Sequence, residues 1–277
     1  MMLYKYTKAK WGIAILRELR LKVSSPKEFN DPFEFTPTTL NPIASLDHEK
    51  LVRLNDWLHQ QGFEHSSIEN LQKILPVLTQ NNPTIKNFAM ELVNSDMAAR
   101  DESSDHFGVL CLSEPRTDIR MWAHYGDENR GVAVGLDFDN ETSGIGGVVC
   151  FDRVEYDNCR PSLNPMLPVG EEFHNQMMKI IKTKSKEWSD EREWRVVFKL
   201  EDIQKEQRDQ GGPPVLDYFV HIRPETIREV IMGCFISESN EQTIRGLCKA
   251  KLPWANLFKL RRHDTDFELV PTPISVH

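Results

Sequence analysis

Helical spacing of apolar residues dominates the middle of the chain, while short alternating or continuous apolar runs dominate both flanks. Leu3–Thr7 reads as a first strand. Trp11, Ile15, Leu16 and Leu19 recur at helical spacing and predict a helix over Trp11–Leu19. Leu21–Ser24 is a short strand, and Ser25-Pro26 leads into a loop over Phe29–Phe35. There Asn30-Asp31-Pro32 is turn chemistry, because the proline pushes Asp31 extended and both polar side chains can bond nearby backbone. Three helical patterns follow: Leu46 to Leu58, Ile68 to Leu78, and Ile85 to Met97, punctuated by Asn81-Asn82-Pro83. Beyond them strands are predicted at Phe107–Leu112, Gly131–Phe138, Gly147–Tyr156, Glu191–Leu200, Tyr218–Ile222, Val230–Met232, Leu257–Arg261 and Phe267–Val270. Helices are predicted at Thr117–Gly126, with Thr117 or Asp118 as cap, and at Gly170–Lys184 and Glu241–Ala250, with a helical turn over Pro224–Arg228.

Many short strands with few long helices outside residues 45–104 predict an α+β fold. Its core is a mostly antiparallel, split or bent β-sheet with flanking helices. Residues 1–44 and 105–277 form that core domain in this reading. Residues 45–104 form an inserted helical subdomain that supplies packing and no site.

Composition is that of an ordinary globular protein: 277 residues, 39% hydrophobic and 27% charged, with 9% aromatics arguing against disorder. A net charge of −8 gives no strong nucleic-acid footprint. The basic cluster Lys249, Lys251, Lys259, Arg261 and Arg262 reads as a solvated face. The opening Met-Met-Leu-Tyr-Lys-Tyr lacks the regions of a signal peptide, and no apolar run approaches the roughly 20 residues of a membrane span. Five widely spaced cysteines without a CxxC read as free thiols, Cys111 and Cys150 buried in strands, so no metal site is expected. The expected location is cytoplasmic, with no membrane partner.

Four blocks depart from core composition: Leu3-Tyr4-Lys5-Tyr6, Phe29–Glu34, Met121–Gly126 and Glu191–Arg195. Each sets rings beside charges or amides, the mixture a small-molecule pocket uses, and we expect them to meet at one site. In the strand, Glu191, Glu193, Arg195 and Val197 share one face and Trp194, Val196 and Phe198 the core face. Carboxylates two apart on a strand lie roughly 6.5–7 Å from one another, within reach of one sugar. Such a pair can stabilise an oxocarbenium ion, with Arg195 pairing to one carboxylate or receiving phosphate. The plainer reading is a salt-bridged strand edge. Met121, Trp122, His124 and Tyr125 are open to a core reading, Lys5 to a surface one, and Asn30 and Asp31 to a simple turn.

Together the blocks, with Val23–Pro26, Cys111–Glu114 and Arg130-Gly131-Val132, resemble a bacterial and phage family catalogued as a domain of unknown function. A further resemblance is to the ADP-ribosyltransferase superfold, which holds NAD at a first-strand residue, a central strand-and-helix station and a late-strand catalytic glutamate. The resemblance implies Tyr4, Lys5 and Tyr6 at the first station, Ser113 with Trp122 and Tyr125 at the second, and Glu191-x-Glu193 at the third; His124, beside the second, is a further cofactor-binding candidate. The first station is Tyr-Lys-Tyr rather than Arg or His, and the second has no Ser-Thr-Ser triplet. It further implies NAD as substrate, with Glu193 stabilising the ribosyl cation, Glu191 orienting the nucleophile, and Lys5 or Arg195 on the pyrophosphate. Asn30 and Asp31 would complete the pocket. The acceptor would be a macromolecule or a small molecule. Two alternatives stand beside it: a non-catalytic nucleotide- or partner-binding module, and a metal-dependent phosphodiester enzyme using His124, Asp31 and Glu114.

Overall fold

The structure is a computed structural model and describes residues 1–39, 46–63, 67–92, 106–138, 145–163, 170–208 and 215–275. Its strands are β1 (Met2–Thr7), β2 (Arg20–Val23), β3 (Thr38–Thr39), β4 (Phe107–Ser113), β5 (Val132–Asp137), β6 (Val148–Arg153), β7 (Glu155–Asp157) and β8 (Ser162–Leu163). They continue with β9 (Thr183–Ser185), β10 (Glu193–Lys199), β11 (Gln204–Arg208), β12 (Val215–His221), β13 (Ile227–Met232), β14 (Asn256–Arg262) and β15 (Leu269–Pro273). The helices used below are α1 (Ala9–Glu18), α2 (His48–Gln60), α3 (Ile68–Asn81), α4 (Ile119–His124), α5 (Glu171–Lys182) and α6 (Glu238–Lys251). The class is α+β, as the pattern predicts.

The chain divides into two compact units, the first comprising Met1–Phe29, His106–Tyr156 and Lys186–His277. Its centre is an eight-stranded sheet in the order β15-β14-β13-β5-β1-β4-β10-β6. Every neighbouring pair is antiparallel except β13 with β14. A three-stranded sheet, β11-β12-β2, accompanies it. The two meet at β4. Its Ser113 registers with Tyr4 of β1, while its Val109 exchanges backbone hydrogen bonds with Ser24, just past β2. The edge of β4 therefore forks between β1 and β2. Between the two attachment points the carbonyl of Cys111 accepts from Lys5 Nζ at 3.2 Å. A buried carbonyl left open would be costly, so the lysine seals the fork.

Leu3, Leu110, Leu112, Val132, Val134, Val196 and Phe198 face the main core, with residues of α1 and α6 such as Ile15, Leu16, Ile244 and Cys248. This is the face the strand alternation predicts. The opposite face is not open. Tyr4, Tyr6, Ala133, Ile231 and Leu260 pack there with Met121 and Trp122 of α4. Asp118 caps α4, its carboxylate accepting from Arg120 N and Met121 N.

The chain leaves α4 through an unusual turn: Asp127, Glu128 and Asn129 have φ of 52°, 53° and 66°, three consecutive left-handed residues without a glycine. A Cβ on Gly131 would sit 2.3 Å from the carbonyl oxygen of Thr7, so only glycine lets the turn rejoin the sheet. Gly131, in the Arg-Gly-Val that follows the third block, is thus explained by packing.

The second unit comprises Asn30–Asp105 and Asp157–Ser185. The sequence-drawn insertion, 45–104, falls within its first stretch. Here α2, α3 and a helical run over 83–92 enclose Leu51, Leu54, Leu58, Leu71, Leu75 and Ile85, and Trp57 stacks on Phe88 with centroids 4.4 Å apart. Asp47 and Ser67 cap α2 and α3. The expected third helix continued to Met97, which lies outside the described residues. Among the described residues no helix is long and apolar enough to cross a membrane.

Candidate active site

The late strand corrects the sequence reading. β10 begins at Glu193, and Glu191 closes the 3₁₀ segment Lys186–Glu191. Between them Arg192 has φ 42°, a left-handed conformation that an L-residue adopts at a cost. That turn breaks the alternation. Glu191 and Glu193 do not share a strand face.

Their surroundings differ accordingly. Glu193 and Arg195 are 2% and 0% exposed, and Arg195 Nε donates to Glu193 Oε1 at 2.8 Å. Phe29 lies 5.7 Å from the Arg195 guanidinium, and Glu193 N donates to the Tyr156 hydroxyl at 2.8 Å. The neighbouring Cys111 thiol is pushed well above its ordinary value, first by desolvation and then by the Glu193 charge. Cys111 and Cys150 are half-buried rather than buried. The expected exposed Glu-x-Glu face is therefore an enclosed ion pair of Glu193 with Arg195.

Glu191 instead borders a cleft of about 100 Å³ lined by Asp118, Met121, His124, Tyr125, Trp188 and Asp190, among others. The Tyr125 hydroxyl donates to Glu191 Oε1 at 2.8 Å. The His124 ring lies edge-on to Trp188, with centroids 6.3 Å apart. Arg120, on the same rim, pairs with Asp190. A carboxylate held by a phenol beside three rings can stabilise a developing cation while an aromatic wall excludes water.

The remaining expected site residues lie elsewhere. The Tyr4 hydroxyl donates to Glu229 at 3.0 Å, and Arg116 pairs with the same carboxylate. The Tyr6 hydroxyl donates to the Pro115 carbonyl at 2.6 Å. Burial raises both phenols above their ordinary range. Trp122 is fully buried, edge-on to Tyr6, with its indole N–H on the Arg116 carbonyl. Ser113 is buried opposite Glu193 in the β4–β10 ladder. Of the ring-and-charge candidates, His124, Tyr125 and Glu191 come together at the cleft. Tyr4, Tyr6 and Trp122 build the wall behind it, and Lys5, Glu193 and Arg195 surround Cys111.

Asn30 and Asp31 belong to the second unit. Asp31 Oδ1 accepts from Phe33 N at 2.9 Å, the turn expected of Asn-Asp-Pro. Asp31 also lines a cavity of about 270 Å³ in that unit, with Phe33, Glu34, Arg160 and Lys184. Trp188 and Asp190 were missed by the sequence reading. Lys-Glu-Trp-Ser-Asp carries the same mixture of ring and charge as the four blocks and immediately precedes the last of them. Among the described residues no group of three His, Cys, Asp or Glu is disposed to hold a metal ion.

Residues 121–196 match a family described as "Protein of unknown function (DUF2971)". The matched stretch runs from α4 into β10 and includes His124, Tyr125, Trp188 and Glu191. Over it the chain is similar to an uncharacterised family. No curated protein and no solved structure matches the chain.

Proposed function

We propose that the first unit is an ADP-ribosyltransferase-like enzyme that cleaves the nicotinamide–ribose bond of NAD, with Glu191 rather than Glu193 as the acting carboxylate. The observation that carries this reading is the Tyr125-bound Glu191 at a ring-walled cleft. Loss of nicotinamide leaves positive charge on the ribose ring, and a fixed carboxylate stabilises that charge more in the transition state than in the ground state. Tyr125 fixes the position of the carboxylate. Trp188 and His124 supply faces for the departing ring. The ion pair of Glu193 and Arg195 holds β10 rigid beneath the 3₁₀ segment, so these two are positioning residues.

The test is transfer of label from adenine-labelled NAD into protein, nucleic-acid and free-nucleotide fractions of a bacterial lysate. Wild type is expected to move label, and Trp188→Ala to raise KM more than it lowers kcat. Folded wild-type protein that leaves NAD intact would defeat the proposal.

One observation favours a second reading. Asp118, Glu187, Asp190 and Glu191 surround the same rings, and about 100 Å³ holds little more than one small group. Rings backed by carboxylates also capture ammonium and guanidinium groups. A binding module that takes a cationic side chain of a partner would saturate with a lysine- or arginine-bearing peptide and form no product.

A further inference from the structure

We infer a second ligand site on the first unit, in the depression beside the turn between β14 and β15, for an uncharged planar heterocycle that carries an amino group, as an aminated nucleoside does. It is independent of the reading given for the Glu191 cleft.

The depression measures about 610 Å³ and is lined by Ile119, Asn129, Cys234, Phe235, Arg262 and Phe267, among others. That is the size of an ordinary small-molecule pocket. Three of its large apolar side chains stand in solvent: Ile119 is 46% exposed, Phe235 54% and Phe267 100%. Phe267 is not on a loose end. His263 N donates to the Glu268 carbonyl at 2.8 Å, Glu268 N to the Asp266 carbonyl at 2.8 Å, and Asp266 N to His263 Nδ1 at 3.1 Å. A hydrogen-bonded turn thus holds a ring fully in water. Rings grouped around one concavity offer planar apolar surface to a ligand.

The second observation is polar. Asn129 Oδ1 is buried and has no hydrogen-bond partner among the described residues. The backbone around it is fixed: Asn129 N donates to the Trp122 carbonyl at 3.1 Å, and its own carbonyl accepts from Phe235 N at 2.9 Å. A Cβ on Gly233 would come within 2.2 Å of that carbonyl oxygen, so the two segments are in direct contact. The main chain is satisfied, and the side-chain acceptor is what remains. Asn129 lines the depression, and the last torsion of asparagine is soft, so this oxygen can adjust to a donor on a ligand seated there. An acceptor in a wall of rings calls for a planar ligand with an N–H donor on its edge. The rim mixes Arg262 and His263 with Asp264, Asp266 and Glu268. With three carboxylates to one guanidinium and one imidazole, it suits an uncharged nucleoside better than a phosphate-rich nucleotide.

The test titrates adenosine, and purine riboside that lacks the amino group, into the full chain by calorimetry. Two variants accompany wild type. Asn129→Gly keeps the left-handed backbone and removes the acceptor. Phe267→Ala removes a ring that packs against nothing. Wild type is expected to bind adenosine saturably and about tenfold more tightly than purine riboside, the ratio one hydrogen bond supplies. Asn129→Gly should erase that ratio, and Phe267→Ala should weaken both ligands several-fold. Failure of adenosine to saturate at millimolar concentration, or binding indifferent to both substitutions, overturns the inference. So does a concentration-dependent dimer abolished by Phe267→Ala, which would assign the depression to a second copy of the chain.

Discussion

Arg195→Met tests the most consequential packing feature of the first unit. Arg195 is fully buried, and Glu193 is its hydrogen-bonded partner at 2.8 Å, with side-chain exposures of 0% and 3%. Methionine roughly preserves the volume, so little of the effect comes from a cavity. What changes is electrostatic: a carboxylate stays inside the protein without its guanidinium. Removing one member of a buried ion pair costs about 3–5 kcal/mol, whereas replacing both with apolar groups is often neutral. The single variant should therefore lose about 3–5 kcal/mol of unfolding free energy. Arg195→Met with Glu193→Leu should regain most of it. Urea unfolding followed by circular dichroism gives the numbers, and the double-mutant cycle isolates the coupling. A single variant within about 0.5 kcal/mol of wild type, the range of an ordinary surface change, would refute the reasoning.

Gly131→Ala should destabilise by at least about 2 kcal/mol in the same assay, because its Cβ would overlap the Thr7 carbonyl, a contact with backbone that cannot move aside. Glu128→Gly should stabilise by roughly 0.5–1 kcal/mol, since glycine relieves a left-handed residue whose side chain makes only an exposed ion pair. Glu114 carries a pH signature. Burial acts to raise its carboxyl, but hydrogen bonds from the Trp194 indole and Arg153, with the charges of Arg153 and Arg192, hold it below its ordinary 4.5. A carboxyl depressed on folding contributes stability that is present above the unfolded pKa and is lost as pH falls through the folded one. The stability gap between wild type and Glu114→Gln should thus be constant near neutrality and close in acid. A gap that widened on acidification would contradict the assignment.

The strand pattern was legible where one face of a strand meets the main core, as at Leu3, Val134, Val196 and Phe198. Helix caps were legible for the same local reason, Asp118 among them. What the pattern did not carry was the second layer. Tyr4, Tyr6, Trp122, Glu193 and Arg195 read as surface or pocket because polar atoms mark them, yet tertiary partners satisfy those atoms inside the protein. The break at Arg192 was also hidden, because a left-handed arginine leaves no trace in residue type. Short β11 and the split of Gly147–Tyr156 into β6 and β7 escaped for want of an apolar face. Within the first unit His124, Tyr125 and Glu191, singled out as rings beside charges, line one cleft with Trp188, which the same criterion would have found.

The most direct test of the site is the rate of nicotinamide release from NAD by Glu191→Gln and Glu193→Gln, each measured at a temperature where circular dichroism shows the protein folded. The account expects Glu191→Gln to lose at least about a hundredfold in kcat, the scale of a transition-state charge contact. It expects folded Glu193→Gln to retain most of its turnover while melting earlier. Full activity in Glu191→Gln, with turnover abolished in folded Glu193→Gln, would contradict it.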